Sequence, residues 1–270
     1  MHPDWLIPDW PAPANVRAVF TTRQGGFSAV PYDTMNLGDH VGDKPEDVQS
    51  SRAALQRVTG THAVFLKQVH GADVLELAAG MADGATADAC VSTQNRLACT
   101  IMVADCLPVL LTTEDGAMVG AAHAGWRGLA GAGQLQNKSV LEAVYEPFRA
   151  LAQQVRLPPA IKTIAWLGPC IGPSAFEVGP EVKAAFEAGH AEAQRFFVPV
   201  ASGKFLADLA GLARLRLQSL GITQIYGNDG GPGWCTVNNP SRFFSHRRDA
   251  GAGGNGFGTT GRMAACVWLE

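Results

Sequence analysis

Apolar positions along this chain follow two rhythms. Residues 16–22 (VRAVFTT), 64–69 (VFLKQV), 74–77, 87–92, 97–103, 161–167, 222–226 and 263–269 are short runs of Val, Ile, Leu and Phe between turn-forming residues, which predicts strands. The run at 64–69 ends at His70-Gly71, and 74–77 is expected to be its hairpin partner. Helical spacing occurs over 45–59, where Val48, Leu55 and Val58 form one stripe. Asp43 is placed to cap that helix, Pro45 to occupy its first turn and Gly60 to stop it. Further helices are predicted over 135–151 (Val140, Leu141, Val144, Phe148 and Leu151 on one side), 180–188 and 205–220, the last ended by Gly221. AGWRGLAGAGQ, after His123, is too rich in glycine for a helix interior.

Strands outnumber helices, and the helices lie singly between groups of strands. That is α+β rather than regular βαβ alternation. No linker rich in proline, serine or charge interrupts the chain, so residues 1–270 are expected to form one domain, with the first ~15 residues extended.

The stretch 97–127 is organised as a hairpin, two apolar runs around Glu114-Asp115-Gly116, with Cys106 just before the first run and His123 at the end of the second. With Glu114-Asp115 as the turn, Cys106 and His123 face each other directly. With Asp115-Gly116 they become diagonal neighbours on the same face, because a two-residue slip keeps parity. A thiol and an imidazole held together suit either a metal site or a Cys–His catalytic pair.

Composition narrows the setting. The chain is 47% hydrophobic and 17% charged with a net charge of −3, so it has no electrostatic footprint for nucleic acid. The first residues, MHPDWLIPDWPAP, lack the basic and apolar regions of a signal peptide. Asp105, Pro108 and His123 break the apolar runs before any reaches a membrane span of ~20 residues. Six cysteines without a C-x-x-C pair fit a cytoplasmic protein with reduced thiols. Gly251, Gly253 and Gly256 formally match G-x-G-x-x-G, but no strand precedes them and no helix follows, so a plain glycine loop is expected.

Of seven histidines, His40, His70, His123 and His246 lie in loops or at strand ends. His70, Cys106 and His123 together make two imidazoles and a thiolate with a fourth position open, the ligand pattern of a catalytic zinc. Copper is the alternative cofactor. A laccase-type copper cluster, however, draws on paired His-x-His motifs, and this chain has none.

The runs KQVHG (67–71), ADCLPVLL (104–111), HAGWRG (123–128), FFSHRRD (243–249) and TTGR (259–262) resemble the YfiH family. TRQGGFS (22–28), MNLGDHVGD (35–43), LGPCIGP (167–173), FEVGPEV (176–182) and CT at 235–236 match in order too. Its members are known as purine nucleoside phosphorylases or peptidoglycan editing factors, and also as polyphenol oxidase or laccase. The resemblance implies a single-domain layered α/β sandwich with mixed sheets and a zinc on His70, Cys106 and His123. It also implies phosphorolysis of adenosine, inosine or methylthioadenosine, adenosine deamination, and a role in peptidoglycan precursor editing. Departures are His246 in place of the usual aromatic, Ser51 in place of Asn, and a glycine-rich insertion at 250–258.

The partners expected are therefore purine nucleosides and phosphate, with no nucleic acid or membrane. Candidates to hold these substrates are Arg23 at the mouth of a glycine loop, Asn36 in the polar loop 32–42, Lys67 and Arg127. The competing reading is a Cys–His hydrolase, in which His123 or His70 activates Cys106 against an amide of a peptidoglycan precursor.

Overall fold

The computed structural model describes residues 2–135, 138–154, 162–251 and 256–270. In chain order the strands are β1 (Val16–Phe20), β2 (His62–Phe65), β3 (Val74–Glu76), β4 (Ala89–Ser92), β5 (Leu97–Val103), β6 (Leu107–Thr113) and β7 (Val119–Ala124). They continue with β8 (Thr163–Leu167), β9 (Glu177–Val178), β10 (Phe197–Pro199), β11 (Phe205–Ala207), β12 (Gln224–Gly227) and β13 (Met263–Leu269). The helices are α1 (Pro45–Thr59), α2 (Trp126–Ala130), α3 (Val140–Gln154), α4 (Pro180–Gly189), α5 (Leu209–Ser219) and α6 (His246–Asp249).

The pattern of burial shows how these stack. Every residue of β5 is buried because both of its faces are covered, which is why it reads as a near-continuous apolar run broken only by Thr100. Leu97, Cys99, Ile101 and Val103 face a core shared with Cys90, Leu110, Val119, Ala121 and Trp166 of a second sheet. Ala98 and Met102 face the opposite way, towards Leu55 of α1 and Trp5. The first sheet runs β1-β13-β5-β2 and the second β12-β8-β6-β7-β4-β3, with a small β10-β11-β9 sheet beside them. The far side of the second sheet buries Leu107, Val109, Leu111, Ala122 and Ala124 against α3, α4 and α5. The result is a helix–sheet–sheet–helix sandwich with mixed strand directions, the expected layered fold. No described helix is long and apolar enough to cross a membrane.

Several elements depart from expectation, each for a local reason. β2 stops at Phe65, and β3 is not its hairpin partner but runs parallel to β4 in the other sheet. The chain changes sheets between them through His70, at φ 61°, where the Asp88 carboxylate takes three successive backbone N–H groups. The predicted helix over 205–220 begins only at Leu209. Asp208 captures the Gly211 N–H at 2.9 Å as an N-cap, leaving Phe205–Ala207 extended and paired with β9 and β10. A short α2 forms in the glycine-rich stretch after His123 and closes on Gly131 at φ 72°. α3 starts five residues later than expected, where Glu142 Oε2 accepts the Ser139 N–H and Ser139 Oγ accepts the Leu141 N–H. α1 matches its predicted limits, but Asp43 bonds Asn36 and the Lys44 N–H instead of capping it, and Val58 is 42% exposed. Ile161 and most of the glycine run at 251–256 fall outside the described residues.

Candidate metal centre

Hairpin register decides where the thiol and the imidazole meet. Pro108 pairs with His123 and Thr112 with Val119, the register expected for Asp115-Gly116, so Cys106 is the diagonal, not the direct, neighbour of His123. The connection itself is longer, with the Gly116 N–H donating to the Thr113 carbonyl across Glu114-Asp115. The turn settles there because Thr113 Oγ1 accepts the N–H groups of Ala117 and Met118 and Gly116 takes the left-handed corner at φ 69°. Parity is kept. Cys106 packs towards the core between the two sheets, the side shared by Val119 and Ala121, and His123 follows them by period two.

Two loops and the end of β7 then converge. Cys106 Sγ lies 3.8 Å from His70 Nε2, and the His70 and His123 rings meet edge to face with centroids 4.7 Å apart. One ligand atom from each of the three residues lies within 4.8 Å of the others. Tetrahedral zinc with bonds of ~2.3 Å to sulfur and ~2.0 Å to nitrogen sets sulfur and nitrogen ~3.6 Å apart, so the donor set fits the ion. Gly125 completes the cradle: a Cβ there would stand 2.9 Å from His70 Cδ2 and 3.0 Å from Cys106 Sγ.

A buried carboxylate organises the histidines. Asp88 Oδ1 accepts the His70 N–H at 2.9 Å and meets His123 Nδ1 at 2.8 Å, while Oδ2 accepts the Val69 and Gly71 N–H groups at 3.0 and 2.6 Å. The Asp88 carbonyl also accepts the His123 N–H at 2.7 Å. This leaves His123 Nε2 as its free donor atom, the carboxylate–histidine arrangement common behind metal ligands. Burial raises the Asp88 pKa, yet hydrogen bonds and charge from His123 and the N–H groups of Gly71 and Val69 hold it below the ordinary value.

Without metal the pair is charge-separated. Burial opposes a thiolate, but the His123 charge and hydrogen bonds from both histidines pull Cys106 down to about 6. Burial likewise opposes an imidazolium, and Cys106 and Asp88 together push His123 up to about 9. Near neutral pH the metal-free centre is thus thiolate and imidazolium. Metal loading is expected to expel about one proton, from His123 Nε2. Calorimetric zinc titration in buffers of different ionisation enthalpy measures this, and uptake of zinc with no proton released would contradict the ligand assignment.

The centre opens into a cleft of about 480 Å³ lined also by His40, Gln68, Asp105, Arg127, Arg247 and Arg262, a volume suited to a small organic ligand. Asp105, at φ 90°, ties the neighbouring loops together: its carboxylate accepts the Thr236 hydroxyl and the Arg247 N–H, and its carbonyl the Ile171 N–H. Segments that match the family far apart in sequence therefore meet at one residue beside Cys106.

Residues 17–270 match the family described as multi-copper polyphenol oxidoreductase laccase. A purine nucleoside phosphorylase of Pseudomonas aeruginosa is 46% identical over 98% of each chain, and the purine nucleoside phosphorylase YfiH of Escherichia coli 42% identical over 98% of each. The chain is a member of the YfiH family. A solved Neisseria meningitidis protein superposes with a TM-score of 0.84, 43% identity and 99% coverage of both chains. The Bacillus licheniformis hypothetical protein YfiH gives 0.78 at 26% identity, covering 94% of this chain and 93% of that one.

In this YfiH chain only one of the four expected substrate residues, Arg127, lines the cleft. Arg23 is spent on the fold: it pairs with Asp33, donates to the Pro240 carbonyl and lies over the Phe244 ring. Lys67 is exposed on the far strand face, in a bridge with Thr86. Asn36 is fully buried, bonding Gly38, Asp43 and the Arg262 N–H. Asp88, Gln68, Arg247 and Arg262 were not singled out from the sequence. Asp88 carried a readable signal, an acid inside the apolar run ADACV, where only a partnered carboxylate is tolerated.

Proposed function

We propose that this protein is a zinc-dependent purine nucleoside phosphorylase, with His70, Cys106 and His123 as the metal ligands. The observation that carries the metal is the convergence of two imidazoles and a thiolate, with Asp88 behind one ring and an open cleft in front. The names of relatives 42–46% identical over nearly the full chain support the substrate class. Zinc at such a site acts as a Lewis acid towards an oxygen it contacts. The protein's own groups do the rest. Asp88 fixes the orientation of the His123 imidazole and the backbone at His70, the glycine at 125 leaves room for the ligands, and the half-enclosed cleft limits water around the scissile bond.

The multi-copper description of the family fits this chain less well. A copper cluster needs several ligand groups, and among the described residues one His/Cys/Asp/Glu group has metal-binding geometry. Adenosine deamination belongs to the same proposal. Among the described residues Asp105 is the one carboxylate lining the cleft, and both its oxygens are engaged, which leaves His40 and His246 as the groups placed to carry the proton. The cell-wall editing role implied by the resemblance rests on no residue of the cleft.

The deciding experiment incubates zinc-loaded protein with inosine and phosphate. Hypoxanthine and ribose 1-phosphate are expected in equal amounts, and release of neither would end the reading. One observation favours a second reading, the Cys–His hydrolase: the low thiol pKa next to His123. It predicts that chelated, metal-free protein keeps full activity on an amide of a peptidoglycan precursor.

A further inference from the structure

Several buried or bonded arginines of this protein have a carboxylate partner, while Arg214 binds backbone carbonyls instead. Arg23 pairs with Asp33, Arg52 with Asp39 and Asp83, Arg216 with Glu142, and Arg248 with Asp249. The three that line the cleft, Arg127, Arg247 and Arg262, form no ion pair among the described residues. Asp105, the carboxylate lining the cleft among the described residues, accepts the Thr236 hydroxyl and the Arg247 N–H. Arg127 and Arg247 are exposed and Arg262 is half-buried, with Cys106 and Asp105 the nearby anions that act on it. Together the three arginines give one cleft a positive potential that favours an anion there.

Arg262 is the most tightly built of the three. Its N–H donates to Asn36 Oδ1 at 2.9 Å and its carbonyl accepts the Leu37 N–H at 3.0 Å. Its stem lies over Gly38, where a Cβ would come within 2.7 Å of Arg262 Cγ. Nη1 donates to the carbonyls of Thr260 and Gly261 at 2.9 and 3.2 Å. That leaves the Nε–Nη2 edge without a hydrogen-bond partner among the described residues. This edge is the two-pronged fork that matches an oxyanion. Arg127 and Arg247 supply further positive potential but are less constrained, Arg127 lying over the Trp126 ring and Arg247 bonding the Ala175 and Glu177 carbonyls.

We propose that the Nε–Nη2 edge of Arg262 holds the phosphate co-substrate, with Arg127 and Arg247 as flanking cations and Asn36 as the residue that positions Arg262. This rests on the phosphorolysis reading above. In that reaction a phosphate oxygen forms the bond to C1′ as the C1′–N9 bond breaks. The electron pair of the broken bond passes to the purine, and the proton of hydrogenphosphate ends on the purine nitrogen. The cations hold the nucleophile against the ribose without becoming bonded to it.

The test uses zinc-loaded wild type, Arg262→Gln, Arg262→Lys and Asn36→Ala. Calorimetric titration with inorganic phosphate is paired with inosine turnover at varied phosphate, and melting curves and zinc content serve as controls. Arg262→Gln is expected to raise the phosphate Kd and KM by about 10- to 100-fold while the inosine KM stays within about threefold. Arg262→Lys keeps the charge but loses the fork, so it is expected to weaken phosphate too. It carries the test if the glutamine variant does not fold. Asn36→Ala is expected to raise the phosphate KM with little change in the inosine KM. Wild-type phosphate affinity in both Arg262 variants overturns the inference, as does a loss confined to zinc content, which would make Arg262 a counter-ion for Cys106. Normal inosine turnover with an unchanged phosphate KM in those variants sinks the subsite and leaves the phosphorylase reading intact. Arg262-dependent phosphate binding in a wild type that does not cleave inosine does the reverse. An Arg262-dependent response to inosine monophosphate but not to inorganic phosphate overturns the co-substrate assignment.

Discussion

Cys106→Ala is expected to strip zinc from the protein and to lower inosine phosphorolysis by about 10³-fold or more. The thiolate is the only anionic donor of the trio, so its loss leaves two neutral imidazoles facing a divalent cation. It also removes the charge that holds His123 protonated in the metal-free state, since Cys106 is the largest influence raising that pKa. The measurement is zinc content after dialysis against a weak chelator, read beside initial rates with inosine. Cys106→Ser separates volume from chemistry, because it restores the shape but supplies a donor that stays protonated near neutral pH. A nucleophilic thiol would also fail in the alanine variant, so chelated wild type is the necessary companion. If metal-free wild type is fully active and only Cys106→Ala is dead, the zinc model is wrong and the Cys–His dyad is right.

That experiment could be framed from the sequence because the residues concerned obey a simple rule. A strand alternates faces, so any register that preserves parity sets Cys106 and His123 on one side. The turn chemistry of Thr113 and Gly116 changed which register formed, yet not the side. The layered fold was legible for a similar reason, since β5 and β13 announce themselves as near-continuous apolar runs. The small β9-β10-β11 sheet was not: its strands have two or three residues, too short for a period to show. Asn36 shows the limit for the site itself. The sequence makes its loop a candidate to hold substrate, but its side chain is turned inward to hold the backbone of Arg262, 226 residues away. A contact that distant in sequence leaves no local pattern.

Asp88 is the other residue on which the centre depends, and Asp88→Asn is expected to destabilise the fold by about 3 kcal/mol. For a chain of this size that is a fall of roughly 6–12 °C in melting temperature. The carboxylate has no exposed surface and accepts from three backbone N–H groups and the His123 ring. An amide can accept through one atom only, and its NH2 would be pressed against donors. Zinc affinity is expected to fall about 10- to 100-fold in the same variant, because the His123 ring loses its orienting partner. The pH dependence has a definite sign in metal-free protein. The Asp88 pKa is lowered on folding, so its stabilisation is complete above the unfolded carboxylate value of ~3.9 and is lost as pH falls through the lower folded value. The His123 pKa is raised to about 9, so its share is complete below the unfolded value of ~6.5 and is lost as pH rises through about 9. The stability gap between wild type and Asp88→Asn should therefore be widest between roughly pH 5 and 7, close as pH falls through the Asp88 pKa, and narrow in part as pH rises through about 9, where the backbone N–H bonds to Asp88 remain. Urea unfolding at a series of pH values measures the gap, and a gap that stays constant from acid to alkali would show that Asp88 acts through packing rather than through its charge.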